Sequence, residues 1–272
     1  MSTTKSSQFI PVDEKGWKRG LGNLLMGEFS VWFKSSKWWK QMIIWFLIVN
    51  MMMIIMIYAT GEASKDGGSG PPILFMYGIF GGMFVAFGVM IIMQRTIVGE
   101  MKSGTAEWVL SKPVTRTAFV LSRLIVNSIG ILLTSVFVPG MFLYITLGTI
   151  SDIGWLSPLG FLAALMMVAI HAFFWITLVI MMGTLSNSSG QVISIPLALY
   201  FTLWMGSGTI PGLAYVSPLL LCFNPDDVQY SSLAFSLMNG EPVFSWAPLI
   251  TTTVLSVVFI GIAILRYNRQ EF

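Results

Sequence analysis

Charged residues in this chain are confined to short segments between long uncharged stretches. Of its 272 residues, 10% are charged and 55% are hydrophobic, whereas a soluble domain typically carries about 25% charged residues. The uncharged stretches cover residues 41–61, 67–94, 124–151, 153–225 and 242–265. Each can hold a helix of about 20 residues, the length that crosses the ~30 Å hydrocarbon core of a bilayer. The sequence therefore predicts an all-α integral membrane protein.

The apolar stretches predict six transmembrane helices. The stretch 153–225 must cross and return, because at ~1.5 Å per residue it is far longer than one bilayer. The predicted spans are 41–60, 73–93, 120–147, 160–182, 190–206 and 248–265. The fifth is interrupted by Pro196. An even number of spans places both termini on one side, with residues 1–40 forming an N-terminal region and residues 41–272 the transmembrane domain.

The basic residues fix the orientation of these spans. Only Lys65 of the 15 Lys and Arg residues falls on the other side of the predicted membrane. The remaining basic residues are Lys5, Lys15, Lys18, Arg19, Lys34, Lys37, Lys40, Arg95, Lys102, Lys112, Arg116, Arg123, Arg266 and Arg269. Basic loops stay in the cytoplasm and meet anionic headgroups. The pattern thus predicts a multi-pass protein of the cell membrane with both termini cytoplasmic, and gives no indication of nucleic-acid binding.

An amphipathic helix is predicted before the first span, from Trp17 to Trp39. Its apolar residues recur at helical spacing: Leu21, Leu24, Leu25, Met26, Phe29, Trp32 and Phe33. Such a helix lies in the membrane interface, with Trp38 and Trp39 among the headgroups. The alternative is a short soluble helix packed on a partner.

The polar segment 94–123 joins the second and third predicted spans on the cytoplasmic side. It contains a short helix candidate, Thr105–Leu110, which ends near Lys112 because Pro113 disfavours a helical residue before it. Thr115 is positioned to cap the helix that follows. Such a helix suits a docking surface for a soluble partner, and the alternative is an ordinary solvated loop.

The same segment carries the one specific motif of the chain. Its residues, in order, are Ile97, Val98, Gly99, Glu100, Gly104, Thr105, Glu107, Leu110, Ser111, Pro113, Val114 and Arg116. This string resembles the coupling loop of type-2 (ABC-2-like) permease subunits of ATP-binding-cassette (ABC) exporters. The family has an interfacial N-terminal helix, six spans, and external re-entrant helices before the last span. Here the external segment would be residues 207–247.

The resemblance implies a function without a catalytic site in this chain. Such permeases pair as homodimers or related heterodimers and bind cytoplasmic ABC ATPase subunits, which hold ATP and Mg²⁺ and push the coupling helix. The chain contains no Gly-x4-Gly-Lys-Ser/Thr phosphate loop, so ATP hydrolysis is expected only in a partner. The residues that the resemblance assigns to ATPase docking and coupling are Glu100, Gly104, Thr105, Glu107, Trp108, Leu110, Pro113 and Arg116. Glu100 and Arg116 are expected to brace the coupling helix by ion pairing, the alternative being plain solvation at the membrane edge.

Within the predicted spans, a few small or polar residues are candidates for helix packing, hydrogen bonding or a functional role. Gly78, Gly82 and Ala86 lie four residues apart, a spacing that lets helices approach closely, in a dimer or within the chain. His171 in the fourth span is a functional candidate or a neutral hydrogen-bonded histidine. Asn50 and Asn127 are expected to form interhelical hydrogen bonds.

Other polar features indicate no metal site. Asp226 and Asp227 could attract a cationic substrate or a metal ion, or form a solvated turn. The single Cys222 excludes an intrachain disulfide and a cysteine-based metal site.

Two other function classes fit the sequence less well. A membrane-embedded transferase would need a cluster of His, Asp or Glu at the membrane edge. A secondary transporter usually shows an inverted repeat and ionisable residues inside its spans. The chain has one His and no carboxylate inside a predicted span.

Overall fold

The computed structural model describes residues 15–60, 76–151, 154–210, 212–224 and 232–270. Within these ranges all regular secondary structure is helical, which confirms the predicted fold class at that level. Five helices are long and apolar enough to cross a membrane: α2 (Lys37–Ile55), α3 (Met76–Lys102), α5 (Arg116–Ile150), α6 (Pro158–Leu185) and α10 (Ala247–Asn268). They correspond to the first four predicted spans and the last.

The fifth predicted span is also helical. Helix α7 (Ser189–Ser207) follows α6 after a short turn and contains Pro196. Its 19 residues extend for ~28 Å at ~1.5 Å per residue, but α7 is less apolar and is not among the five candidate spans. The remaining helices are short: α1 (Leu21–Lys34), α4 (Thr105–Leu110), α8 (Leu213–Val216) and α9 (Leu233–Asn239).

The predicted amphipathic helix 17–39 is shorter than expected. Helix α1 ends at Lys34, and Ser35 adopts an extended backbone with φ −78° and ψ 155°. The Ser35 hydroxyl donates to the carbonyl oxygen of Trp32 at 2.9 Å, and such local side-chain bonds compete with continued helix. Trp38 and Trp39 therefore belong to α2, the helix of the first span.

Helix α6 forms the centre of the molecule. In its most apolar window 83% of residues are buried within the chain, against 22% in α2 and α10. Helices α3, α7, α9 and α10 all pack on α6. The outer faces of α2 and α10 are consequently the large apolar surfaces that a lipid bilayer or another membrane subunit would cover.

Part of the segment before the last span packs against the middle of α6. A 3-10 turn, Pro218–Leu221, follows α8. The carbonyl oxygen of Pro218 lies 2.9 Å from Nδ1 of His171, which is ~20 Å along α6 from its first residue at ~1.5 Å per residue. Helix α9 returns to the N-terminal end of α6, where the Leu237 carbonyl contacts Gly160.

Three spans each contain one π-helical turn. These turns are Leu47–Met51 in α2, Ile79–Phe84 in α3 and Leu132–Phe137 in α5. Asn50, in the first of them, donates from Nδ2 to the carbonyl oxygen of Pro139 in α5 at 3.1 Å. This bond confirms the expected interhelical role of Asn50. The Asn127 side-chain NH2 group instead donates to the Arg123 carbonyl oxygen of its own helix at 2.7 Å. The prediction that Asn127 donates to another helix was therefore wrong.

Several predictions fall on residues outside the described ranges. They concern residues 1–14 of the N-terminal region, Lys65, residues 73–75 of the second predicted span, and the pair Asp226 and Asp227.

Candidate functional site

The segment between the second and third spans folds into a compact loop. Helix α4 occupies Thr105–Leu110, which confirms the predicted short helix. Gly104 precedes α4 with φ +70°, a left-handed conformation that favours glycine. After α4, the Ser111 hydroxyl donates to the Trp108 carbonyl oxygen at 2.7 Å. The loop is therefore shaped by its own backbone and hydroxyl bonds.

Thr115 ties this loop to the N-terminal region. Its hydroxyl oxygen accepts from the Ala118 amide at 3.1 Å, which confirms the predicted cap of α5. The same hydroxyl donates to the Trp17 carbonyl oxygen at 2.6 Å, and the Thr115 amide donates to the Arg19 carbonyl oxygen at 3.1 Å. Gly20 permits this approach, because a Cβ at that position would collide with Val114.

The face of α4 away from the membrane domain is exposed. The Trp108 side chain is 65% exposed, and the Lys112 ammonium lies 5.2 Å from its ring centroid. Beside them is an open cleft of about 370 Å³ lined by Glu107, Leu110, Ser111, Val114 and Arg116. This face offers an exposed aromatic ring together with charges of both signs.

Two carboxylates from two other segments meet at Arg123 of α5. Nε of Arg123 lies 2.7 Å from Oε1 of Glu100, and its Nη2 lies 2.8 Å from Oε2 of the same carboxylate. Its Nη1 lies 2.8 Å from Oε1 of Glu28 in α1, an ion pair without hydrogen-bond geometry. Only 4% of the Arg123 side chain is exposed. We call Glu28, Glu100 and Arg123 the ion triad.

The ion triad rests on an aromatic stack that reaches the last span. The Arg123 guanidinium lies 4.7 Å from the ring centroid of Phe119. Phe119 in turn stacks on Tyr267 of α10, with ring centroids 5.3 Å apart and planes 3° from parallel. The guanidinium is thus enclosed by two carboxylates and a ring, an environment that suits arginine far better than lysine.

Burial works against the charge on one carboxylate of the triad. Desolvation raises the pKa of Glu28 above its ordinary value, and the attraction of Arg123 only partly opposes this rise. Glu28 is therefore held by one ion-pair contact and is partly desolvated, whereas Glu100 is held by a two-bond fork.

A sequence model described as ABC-2 family transporter protein matches residues 28–272. This match covers most of the chain and includes the whole loop and the ion triad. The chain belongs to the ABC-2 family of transporter proteins. No curated protein matches it closely enough to add to that assignment. Proteins of this family are multi-pass membrane components of ABC transporters and typically work with an ATPase partner.

In this ABC-2 family protein, the two charged residues predicted to brace the loop have different partners. Glu100 pairs with Arg123, as described above. Nη1 of Arg116 donates to the Asn268 carbonyl oxygen at 2.8 Å, and Asn268 donates from Nδ2 to the Thr117 hydroxyl oxygen at 3.2 Å. Arg116 thereby connects the start of the third span to the end of the last one.

Arg123 is the residue that sequence reasoning missed. The sequence pattern placed Arg123 only among the cytoplasmic basic residues and predicted no partner for it. The available signal was its position inside the predicted span 120–147, because a charge inside a span usually faces a counter-ion. Glu100 and Glu28 lie on the same predicted side, yet the sequence alone does not show which acid reaches it.

The remaining candidates lie in the membrane domain, outside the loop. Gly78 and Gly82 face Cys222 of the same chain, where a Cβ would collide with that residue, and Ala86 is fully buried. In the structure this face is thus occupied by an intrachain contact. Across the described ranges, no group of three or more His, Cys, Asp or Glu side chains could hold a metal ion.

Both ring nitrogens of His171 have partners. Nε2 accepts from the Trp175 indole N–H at 3.1 Å, and indole is only a donor. Nε2 is therefore unprotonated, so the proton lies on Nδ1 and is donated to the Pro218 carbonyl oxygen. The imidazole is neutral and connects α6 to the turn before the last span.

Proposed function

We propose that this chain is the permease subunit of an ABC exporter and that a separate cytoplasmic ATPase subunit docks on the loop 94–123. The observation that carries the proposal is the contrast between the two faces of α4. Its outer face presents the exposed Trp108 ring and the cleft beside it, while Ala106 on the opposite face is fully buried. A surface of this kind can receive a partner and transmit a push.

The proposed ATPase contact combines apolar and charged groups. Trp108 supplies a large ring of the type that anchors protein interfaces. Lys112, over that ring, and Glu107, on the cleft, would set the orientation of the partner. ATP and Mg²⁺ would be held by the partner, and this chain would contribute movement rather than chemistry.

The proposal includes six crossings of the cell membrane, with both termini on the cytoplasmic side. Helix α7 would be the additional crossing, and its ~28 Å length at ~1.5 Å per residue supports this. The contact between Pro218 and His171 supports a re-entrant path for part of the segment 207–247. The distribution of basic residues supports the orientation.

A second permease copy, identical or related, would complete the transport pathway. The apolar outer faces of α2 and α10, which are little buried within one chain, are the surfaces available for that contact or for lipid. Export is the direction implied by the resemblance of the loop.

Co-purification tests the proposal. The full chain, tagged and extracted in mild detergent, is expected to bring down a stoichiometric ATPase that carries a phosphate loop. Trp108→Ala together with Glu107→Gln should abolish that recovery, because it removes the ring and one charge of the docking face.

Trp155→Ala is the matched control. Trp155 has an exposed fraction of 61%, close to that of Trp108, but lies in the predicted external loop between the third and fourth spans. Equal loss with both variants would argue against docking on α4. Repeated purification without any ATPase would overturn the proposal and favour an ATP-independent carrier.

A further inference from the structure

Arg123 joins three elements that are far apart in the sequence. It belongs to α5, it holds Glu100 at the end of α3 through two hydrogen bonds, and it contacts Glu28 of α1. Helix α1 also packs along α5, and backbone and hydroxyl bonds at Thr115, described above, add to the link between the loop and the N-terminal region.

The geometry makes Arg123 hard to replace. A buried guanidinium that forms a fork with one carboxylate presents its remaining nitrogen to the second, and lysine has no equivalent planar arrangement. Without the guanidinium, Glu28 and Glu100 would be left partly buried without their shared cation. Both would then gain by moving towards water, which would loosen the packing of α1 on α5 beside the loop.

The two halves of the triad differ in strength. The Glu100 fork fixes the end of α3 against α5 in distance and in angle. The Glu28 contact fixes distance only, since it lacks hydrogen-bond geometry. The triad therefore fixes the end of α3 to α5 more tightly than it fixes α1.

We propose that Arg123 is a positioning residue that makes the coupling loop, α1 and the start of the third span move together. We call this connection through Arg123 the joint. The proposal rests on the docking function above only for the source of the push, because the joint itself is a property of this chain. In the transporter, a push on α4 would reach α5 directly and the interfacial helix through Glu28.

Distance measurements between spin labels test the joint in the full chain in lipid nanodiscs. Labels are placed at Val31→Cys on α1 and Lys102→Cys at the end of α3, with the buried Cys222 changed to Ser. Arg123→Gln is expected to broaden the distance distribution of this pair. Arg95→Gln, an exposed arginine of the same segment, is the matched control and should leave it narrow.

A second label pair separates loss of the joint from loss of the fold. Leu159→Cys and Ile250→Cys, both exposed, report on the outer ends of α6 and α10. They should keep a narrow distribution in Arg123→Gln. A narrow Val31–Lys102 distribution in Arg123→Gln would overturn the proposal.

If both pairs broaden in Arg123→Gln, the deciding variant is Glu28→Gln with Glu100→Gln. It keeps side-chain size and removes both negative charges. Broadening of the Val31–Lys102 pair alone would support the joint, whereas a narrow distribution, or broadening of both pairs, would overturn it. These measurements need no ATPase, so failure to recover an ATPase would remove the proposed function and leave the joint standing.

Discussion

At the scale of single residues, His171 illustrates how a polar group is accommodated at membrane depth. Its two nitrogens satisfy a backbone carbonyl and an indole, and the arrangement requires the neutral ring. The histidine therefore acts as a cross-link between α6 and the turn Pro218–Leu221. The sequence allowed either a functional role or a neutral, hydrogen-bonded histidine, and the contacts favour the hydrogen-bonded histidine.

We expect His171→Phe to destabilise the protein. The substitution leaves the Pro218 carbonyl and the Trp175 N–H without partners, and a buried unsatisfied group costs about 1–3 kcal/mol. His171→Gln keeps one donor and one acceptor and should cost less. Thermal unfolding in detergent, followed by tryptophan fluorescence, measures the difference. Wild-type stability in His171→Phe with loss of transport would instead assign the histidine a direct functional role.

At the scale of elements, the short helix α4 follows a glycine in the left-handed conformation. Nothing lies within 4 Å of a Cβ built on Gly104, so any penalty for a larger residue comes from its φ of +70°. A left-handed residue other than glycine costs roughly 1–2 kcal/mol. The orientation of α4 thus depends on the backbone torsion φ of Gly104.

Gly104→Ala should weaken ATPase association without unfolding the chain. A change of 1–2 kcal/mol corresponds to a factor of roughly 5–30 in an equilibrium, which titration of the purified ATPase would detect. Gly27→Ala is the matched control: Gly27 also has nothing within 4 Å of its Cβ and lies inside α1 with negative φ. Equal affinity of the two variants would show that the orientation of α4 does not matter for docking.

The elements also show what could be predicted from the sequence. Helix α4 and its surroundings followed from Pro113 and Thr115, because both act through the local backbone. The end of α1 was missed because Ser35 interrupts a pattern whose apolar residues continue beyond it. Arg123 was missed because its partners come from two distant segments, and only the tertiary structure brings them together.

At the scale of the whole molecule, the number of crossings depends on α7. If α7 crosses the membrane, Asn187→Cys should react with an impermeant maleimide only from the cytoplasmic side and Thr209→Cys only from outside. Both positions are exposed, whereas Cys222 is buried and should give little background reaction. Lys102→Cys and Trp155→Cys provide inside and outside references. Reaction of both test positions from one side would reduce the count to five.

The π-helical turns of α2, α3 and α5 have a consequence for any helical-wheel drawing of this chain. A π turn places one additional residue in the helix, and one residue corresponds to ~100° of rotation about the axis. Residues before and after Leu47–Met51, Ile79–Phe84 or Leu132–Phe137 therefore follow the same periodicity with a phase offset. Scans of side-chain solvent accessibility against residue number along these helices should follow two sinusoids, one on each side of the π turn. Aligned relatives that lack the additional residue would present a different stripe of side chains to the same neighbouring helix.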